Sequence, residues 1–153
     1  MNGKVAVLIG SESDRDTIES SRQYFDYFDI DYEIHILSAH RTPDKVAVFA
    51  LNARENGYSI LIGAAGMAAH LAGALKAYST LPVIGVPLPG GIEDGMDALL
   101  STVQMPKGVP VATMAVGKAG AINAAILAAE ILSLNNPQLV SKLQNFKKIG
   151  SKL

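Results

Sequence analysis

Hydrophobic residues follow two alternating patterns along the 153-residue chain. Short β-branched or apolar runs, such as KVAVLI at residues 4–9, predict strands. Longer segments with apolar residues three or four positions apart, such as residues 14–28, predict helices that cover those strands. The predicted strands are residues 4–9, 31–37, 58–62, 82–86 and 110–114, and the predicted helices are residues 14–28, 43–56, 70–78, 94–103, 119–134 and 137–148.

Strands that alternate with helices over short connections form βαβ units, and such units build one parallel sheet. We therefore expect an α/β, doubly wound three-layer sandwich of flavodoxin-like architecture with about five parallel strands. Residues 31–37 alternate apolar and polar side chains, which predicts a strand at the sheet edge or under thin cover. No linker or repeat divides residues 1–153, so we expect a single domain. Its C-terminal helix, at about residues 137–148, is expected to pack on the core or on a neighbouring subunit.

Composition excludes several classes of function. The chain has no cysteine, which rules out a disulfide scaffold, a thiolate nucleophile and a cysteine-ligated zinc site. The net charge is −1 and no basic run is present, so nucleic acid is not an expected partner. The first apolar run is too short for a signal-peptide core, and no apolar stretch reaches the about 20 residues that span a membrane. We therefore expect a cytoplasmic protein with no membrane partner.

Apolar residues are in excess. Hydrophobic residues make up 49% of the chain and charged residues 18%, whereas charged residues usually form about a quarter of a globular domain. Such a surplus is typical of surfaces that subunits bury against one another. The Ala-rich residues 119–129 would also allow close helix packing. We therefore expect a homo-oligomer.

Ligands of open parallel sheets bind outside the carboxyl ends of the strands. The loops that follow the first four predicted strands are therefore expected to gather at one rim. These loops are residues 10–14, 38–43, 63–70 and 87–91.

The first of these loops combines small residues and hydroxyls before a helix. Ser11, Ser13 and Asp14 could form an anion site with free backbone N–H groups. The alternative is plain helix capping by Ser13 or Asp14. A string of this kind is a weak signal by itself.

The second loop carries the strongest candidates. Arg41 offers a two-pronged guanidinium for phosphate or carboxylate, and His40 can exchange a proton near neutral pH. Ser38 adds a hydroxyl. A solvated arginine and a packed histidine are the structural alternative, but the two residues are adjacent and lie at the expected ligand rim, which favours function.

The third loop is rich in glycine and alanine, including Ala65 and Gly66, so a ligand could approach its backbone closely. Tight packing of helices or subunits explains the same composition. His70 could contact a ligand, cap a helix or pack. The acidic residues Glu93, Asp94 and Asp97 lie near a helix start and lack histidine partners at ligand spacing, so no metal site is expected.

Several strings resemble one family in their order and spacing. They are GSESD at 10–14, SAHRTP at 38–43, AAHL at 68–71, STVQMP at 101–106 and GKAG at 117–120. Over roughly residues 4–134 the chain resembles the N5-carboxyaminoimidazole ribonucleotide mutases, the catalytic-subunit type of phosphoribosylaminoimidazole carboxylase in purine biosynthesis. Each string alone is weak, whereas their combination is specific.

The resemblance implies transfer of a carboxylate from the exocyclic nitrogen of the aminoimidazole to a ring carbon, with no metal and no organic cofactor. It implies decarboxylation, trapped carbon dioxide and recarboxylation, with His40 as the catalytic proton shuttle. It also implies an octamer with sites at subunit junctions. The implied substrate-binding residues are Ser11, Ser13, Asp14, Ser38, Arg41, Ala65, Gly66, His70 and Leu71.

One position separates two reactions within the family. The mutase group resembles this chain in having arginine after the motif histidine, whereas the direct carboxylase group tends to have lysine, so Arg41 favours the mutase. Two departures concern loop closure rather than the reaction. Met67 stands where many relatives have glycine, and residues 89–94 differ from the commoner form.

The direct carboxylase is the main alternative, and two functions on the same fold fit less well. A flavin site would need aromatic residues beside the flavin, yet the chain has no tryptophan, and most of its tyrosines and phenylalanines fall within predicted elements. A phospho-receiver domain would need an aspartate at the end of the third strand, where Ile62 and Gly63 stand.

Overall fold

The computed structural model describes residues 3–153. Five parallel strands form one sheet in the order β2-β1-β3-β4-β5, which confirms the predicted doubly wound, flavodoxin-like α/β fold. The strands are β1 Lys4–Ile9, β2 Tyr32–Ile36, β3 Tyr58–Gly66, β4 Val83–Leu88 and β5 Ala112–Thr113. The helices are α1 Arg15–Glu19, α2 Arg22–Tyr27, α3 Pro43–Asn52, α4 Leu71–Tyr78, α5 Met96–Val103, α6 Lys118–Ser133 and α7 Pro137–Lys148.

Strand β1 lies between β2 and β3 and contributes side chains to both halves of the core. Side chains alternate across a strand, so Val5, Val7 and Ile9 face one helical layer while Ala6 and Leu8 face the other. The first layer contains α1, α2, α6 and α7, and the second contains α3 and α4. Because β1 is buried on both faces, its sequence is a nearly continuous run of apolar residues.

Several predicted elements have different bounds from those expected: β5 covers only residues 112–113 of the predicted 110–114, and α3 ends at Asn52 instead of residue 56. The predicted helix at 14–28 is split into α1 and α2 at Ser20 and Ser21. Their hydroxyls donate to the carbonyls of Thr17 and Ile18, each at 2.6 Å, which offers the backbone an alternative to a continuous helix. Strand β3 continues to Gly66, beyond the predicted end at residue 62, because it stays paired with β4.

Two glycines allow helices to approach the sheet behind the ligand rim. A Cβ on Gly63 would lie 2.9 Å from the Cα of Ala72, and one on Gly85 would lie 2.5 Å from the Cγ2 of Thr102. Larger residues at these positions would push α4 and α5 away from the sheet. Gly63 therefore allows α4, and Gly85 allows α5, to pack directly against the sheet.

Helix α7 lies on the same core as the sheet. Its residues Leu139, Leu143 and Phe146 are buried, and the ring of Phe146 meets those of Tyr24 and Phe28 edge-on. Among the helices of residues 3–153, none combines the length and the hydropathy that a bilayer-spanning segment needs.

Strand β2 forms one edge of the sheet, the first of the two positions that its alternating pattern allowed, and polar residues cluster there. Lys4 Nζ donates to Glu33 Oε1 at 2.5 Å, and the hydroxyl of Tyr58 donates to the other carboxylate oxygen. The hydrogen bonds from Lys4 and then Tyr58 lower the pKa of Glu33. Burial, followed by the bond to Glu33, raises the pKa of Tyr58.

Replacing Glu33 with glutamine is expected to lower the free energy of unfolding by up to about 1 kcal/mol at neutral pH, the usual limit for a half-exposed ion pair. Because folding lowers the pKa of Glu33, its contribution is present above the ordinary value of 4.5 and is lost as the pH falls through the folded value. Urea unfolding of both proteins from neutral to acidic pH should show the difference shrinking. A difference that stays constant with pH would contradict this, and Glu55→Gln, at an exposed position, is the control.

Candidate active site

The loops after β1, β2, β3 and β4 meet around one cavity of about 440 Å³ at the carboxyl ends of the strands. The structure brings every predicted catalytic and substrate-binding residue to this cavity. Its lining residues are Gly10, Ser11, Ser13, Asp14, Ser38, Ala39, His40, Arg41, Ala65, Gly66, Met67, Ala68, His70, Leu71, Pro89 and Gly90. The four loops that the sequence rule placed at one rim therefore do meet there.

A larger groove of about 580 Å³ lies elsewhere, between β2 and α3. Side chains such as Ile36, Val48 and Phe49 line it, together with polar residues of α3. We place the candidate active site in the smaller cavity because four strand ends converge there and bring hydroxyl, imidazole, guanidinium and carboxylate groups together.

The loop after β1 is folded by its own serines. Ser11 caps a short 3-10 turn, and its Oγ accepts from the Ser13 amide at 3.4 Å and from the Ser13 hydroxyl at 3.0 Å. Asp14 occupies the N-cap position of α1, as the capping alternative allowed, but its side chain makes no cap bond, and the Ser13 hydroxyl bonds to Ser11 instead. Burial raises the pKa of Asp14, and a backbone hydrogen bond from Ser11 offsets part of this effect. Its carboxylate is thus a partly desolvated acceptor at the cavity wall.

The loop after β2 is a closed turn that leaves two side chains exposed. Thr42 Oγ1 accepts from the Ser38 amide and donates to the Ser38 carbonyl, both at 3.1 Å. Ser38 Oγ accepts from the Arg41 amide at 3.2 Å. His40 and Arg41 remain exposed at the cavity, and no carboxylate in residues 3–153 forms an ion pair with the Arg41 guanidinium. The turn therefore presents a cation that an anionic ligand can bind.

His40 and His70 meet across the cavity. Nε2 of His40 lies 2.5 Å from Nδ1 of His70, and the two rings are nearly perpendicular, at 86°, with centroids 4.7 Å apart. His70 is the residue immediately before α4. The third histidine, His35, lies on β2, where its Nε2 is 3.0 Å from the hydroxyl of Tyr58. Only two of the three histidines therefore belong to the cavity.

Helix α5 fixes the remaining two loops, a role that the sequence did not predict. Ser101 Oγ accepts from the Ala69 amide at 3.0 Å and donates to the Asp97 carbonyl at 2.7 Å. The Asp97 carboxylate accepts from the amides of Ile92 at 3.1 Å and of Ala98 at 2.8 Å. Asp97 and Ser101 are four positions apart and so lie on one face of the helix, which was the only sequence feature that linked them. The carboxylates of Asp97 and of Asp94, which accepts from the Gly90 amide at 3.1 Å, therefore bind backbone amides. Residues 3–153 contain no cluster of three or more side chains that could hold a metal ion.

Comparison with known proteins gives the family. The family model described as AIR carboxylase matches residues 4–152, nearly the whole chain. The chain belongs to the AIR carboxylase family. This family assignment agrees with the resemblance found in the sequence strings.

Two enzymes and one solved structure illustrate how similar the chain is to other proteins. The N5-carboxyaminoimidazole ribonucleotide mutase of Escherichia coli K12 is 46% identical over 145 residues, covering 95% of this chain and 86% of that protein. The mutase of Haemophilus influenzae is 47% identical over 145 residues, covering 95% of this chain and 88% of that protein. Treponema denticola PurE has a crystal structure that matches with a TM-score of 0.86 at 28% identity, covering 97% of this chain and 91% of that one.

Met67, one of the loop positions singled out in the sequence, takes a left-handed backbone conformation with φ of 51°. This region costs a non-glycine residue roughly 1–2 kcal/mol. The side chain is 64% exposed, so it gains little from packing. The sequence departure therefore places a strained residue at the cavity rim.

Replacing Met67 with glycine is expected to raise the free energy of unfolding by about 0.5–1 kcal/mol, because relief of the left-handed strain exceeds the entropy that glycine loses on folding. Met67→Ala removes the same side chain but keeps the Cβ, so it should leave stability within about 0.5 kcal/mol of the parent. Urea unfolding at one protein concentration measures all three proteins. Equal effects of the two substitutions would show that the backbone conformation carries no strain.

Proposed function

We propose that the protein is an isomerase of purine biosynthesis that converts N5-carboxyaminoimidazole ribonucleotide into 4-carboxy-5-aminoimidazole ribonucleotide. The observation that carries the proposal is the joint placement of His40, Arg41 and the Ser11 loop in one cavity. The relatives from Escherichia coli and Haemophilus influenzae are named as mutases and are 46–47% identical to this chain, which supports the same reaction here.

The substrate's phosphate is the group that Arg41 and the first loop suit. An unpaired guanidinium can make two charge-assisted bonds to a phosphate. Ser11 and Ser13 add hydroxyls beside it, and Asp14 can accept bonds from ribose hydroxyls. Ser38 lies in the turn that holds Arg41. These residues would bind the nucleotide end and leave the base near His40.

His40 would carry one proton through the reaction. In the first step it donates a proton to the exocyclic nitrogen, the bond from that nitrogen to the carboxylate breaks, and carbon dioxide is released. In the second step the ring carbon forms a bond to carbon dioxide, and His40 takes the proton that this carbon loses. The proton returns to its donor, so the overall change is an isomerisation that needs one acid–base group.

Carbon dioxide must stay in the cavity between the two steps. Ala65 and Gly66 line the wall without polar side-chain atoms, and Leu71 beside them is buried. His70 lines the same cavity and could contact the carboxylate. A wall of this kind excludes water and leaves backbone groups as the contacts for carbon dioxide.

Assembly and location are part of the proposal. Met96, Leu100 and Val103 expose an apolar stripe on α5, the helix that holds the site loops. A homo-oligomer, an octamer by the family resemblance, would cover this stripe, and light scattering should then give eight times the chain mass of 16.1 kDa. We expect the single domain to carry the whole activity, in the cytoplasm.

Two assays on the purified protein separate the mutase from the direct carboxylase. One supplies N5-carboxyaminoimidazole ribonucleotide without bicarbonate, and the other supplies aminoimidazole ribonucleotide with high bicarbonate. Fast conversion in the first and slow conversion in the second is the expected result. The reverse pattern would make the protein a direct carboxylase, and an inactive, folded oligomer in both would reject the reaction.

A further inference from the structure

We propose that His70 is a positioning residue for His40 and that it acts through its Nδ1 atom. The proposal rests on the function proposed above, in which His40 moves the proton. It gives His70 a role on the catalytic imidazole itself, in addition to any contact that its other nitrogen makes with the substrate.

The contact engages one nitrogen of each ring. Nε2 of His40 lies 2.5 Å from Nδ1 of His70, so one of the two nitrogens donates and the other accepts. Protonated His40 donates from Nε2, and neutral His40 can donate or accept there, so the contact can persist through both states of a proton shuttle. A partner on one nitrogen also selects the tautomer and the orientation of the ring.

His40 needs such a partner because its own loop leaves it exposed. The hydrogen bonds of the turn at residues 38–42 involve Ser38, Thr42 and the Arg41 amide, and none of them reaches the imidazole. Without an external contact, the side chain would be free to change rotamer. Misplacement of a catalytic group by about 1 Å can lower a rate by about a hundredfold.

The backbone around His70 is held by hydrogen bonds on both sides. Its carbonyl accepts from the Ala74 amide at 2.8 Å in the first turn of α4, and its amide donates to the Ala68 carbonyl at 2.9 Å. The preceding Ala69 amide is bonded to Ser101, and the following Leu71 is only 2% exposed. The backbone on both sides of His70 is thus fixed, which fixes the point from which its imidazole reaches His40.

Two substitutions at residue 70 distinguish its two nitrogens. The polar side-chain atoms of asparagine are two bonds from Cβ, as Nδ1 of histidine is. Those of glutamine are three bonds from Cβ, as Nε2 of histidine is. His70→Asn should keep a kcat at least about tenfold above those of the other two variants, because it can still bond to His40. His70→Gln and His70→Ala lose that bond, and their KM should rise by less than about tenfold because the proposed phosphate contacts of Arg41 and the Ser11 loop remain.

The kcat and KM of the parent and the three variants are measured with N5-carboxyaminoimidazole ribonucleotide, alongside thermal unfolding of each protein. An active glutamine variant with an inactive asparagine variant would overturn the proposal, since Nε2 would then be the working atom. Equal rates in the asparagine and glutamine variants would overturn it as well. His40→Asn is measured in parallel. If His40→Asn keeps its turnover, the proposed role of His40 fails as well. If His40→Asn is inactive, an unexpected order of rates at residue 70 rejects only the positioning role of His70.

Discussion

His40→Asn is expected to lower kcat by about 10²–10⁴-fold, the usual contribution of a positioned acid–base group. His40, in the loop after β2, contacts His70 at the start of α4, and it lies in the same cavity as Arg41. Binding of the nucleotide should change by less than about tenfold, because the charged phosphate contacts remain. Initial rates and calorimetric titration of the product measure the two effects separately.

His35→Asn is the matched control for this prediction. His35 lies on the edge strand β2, bonded to Tyr58 and outside the cavity, so its replacement should leave kcat within about twofold of the parent. An unchanged kcat in His40→Asn would refute the role of His40. Equal losses in both variants would indicate that histidine replacement damages the fold rather than the chemistry.

Arg41→Ala is expected to raise KM by about 10–150-fold, since a hydrogen bond to a charged group contributes about 1.5–3 kcal/mol. Its guanidinium has no carboxylate partner in the described residues and lies in the cavity with the hydroxyls of Ser11 and Ser13. The kcat at saturating substrate should fall much less, because the phosphate is remote from the atoms that react. Steady-state kinetics over a wide substrate range tests both statements.

Lys45→Ala controls for a general loss of positive charge. Lys45 is an exposed cation in the first turn of α3 and lines the groove between β2 and α3 instead of the cavity. Its removal should leave KM within about twofold of the parent. Arg41→Lys should recover part of the lost affinity, because lysine keeps the charge but not the two-pronged geometry. An unaltered KM in Arg41→Ala would place this residue away from the phosphate.

The sheet and its ligand rim follow from local patterns. Runs such as KVAVLI at 4–9 are buried on both faces, so β-branched residues indicated strands correctly. The edge position of β2 also followed from its alternating residues 32–36. Once the strands were known to be parallel, their carboxyl ends had to share one edge. His40, Arg41 and Ser11 could therefore be placed at one site from the sequence alone.

Contacts between distant segments could not be predicted in this way. The extension of β3 to Gly66 depends on pairing with β4, and its Gly and Ala residues carry no strand signal of their own. The contact of His40 with His70 joins residues thirty positions apart and depends on where Gly63 allows α4 to pack. Ser101 binds the Ala69 amide across a similar separation. Such contacts are set by tertiary packing, which neither propensity nor periodicity encodes.

Intramolecular transfer of the carboxylate is tested most directly by isotope retention. The purified protein converts N5-carboxyaminoimidazole ribonucleotide, carrying an isotope-labelled carboxylate carbon, in the presence of excess unlabelled bicarbonate. Mass spectrometry of the product over the first turnovers gives the labelled fraction. Trapped carbon dioxide predicts that most product molecules keep the label. Product labelled only to the level of the bicarbonate pool would show that carbon dioxide leaves the cavity, and would contradict the mutase reaction.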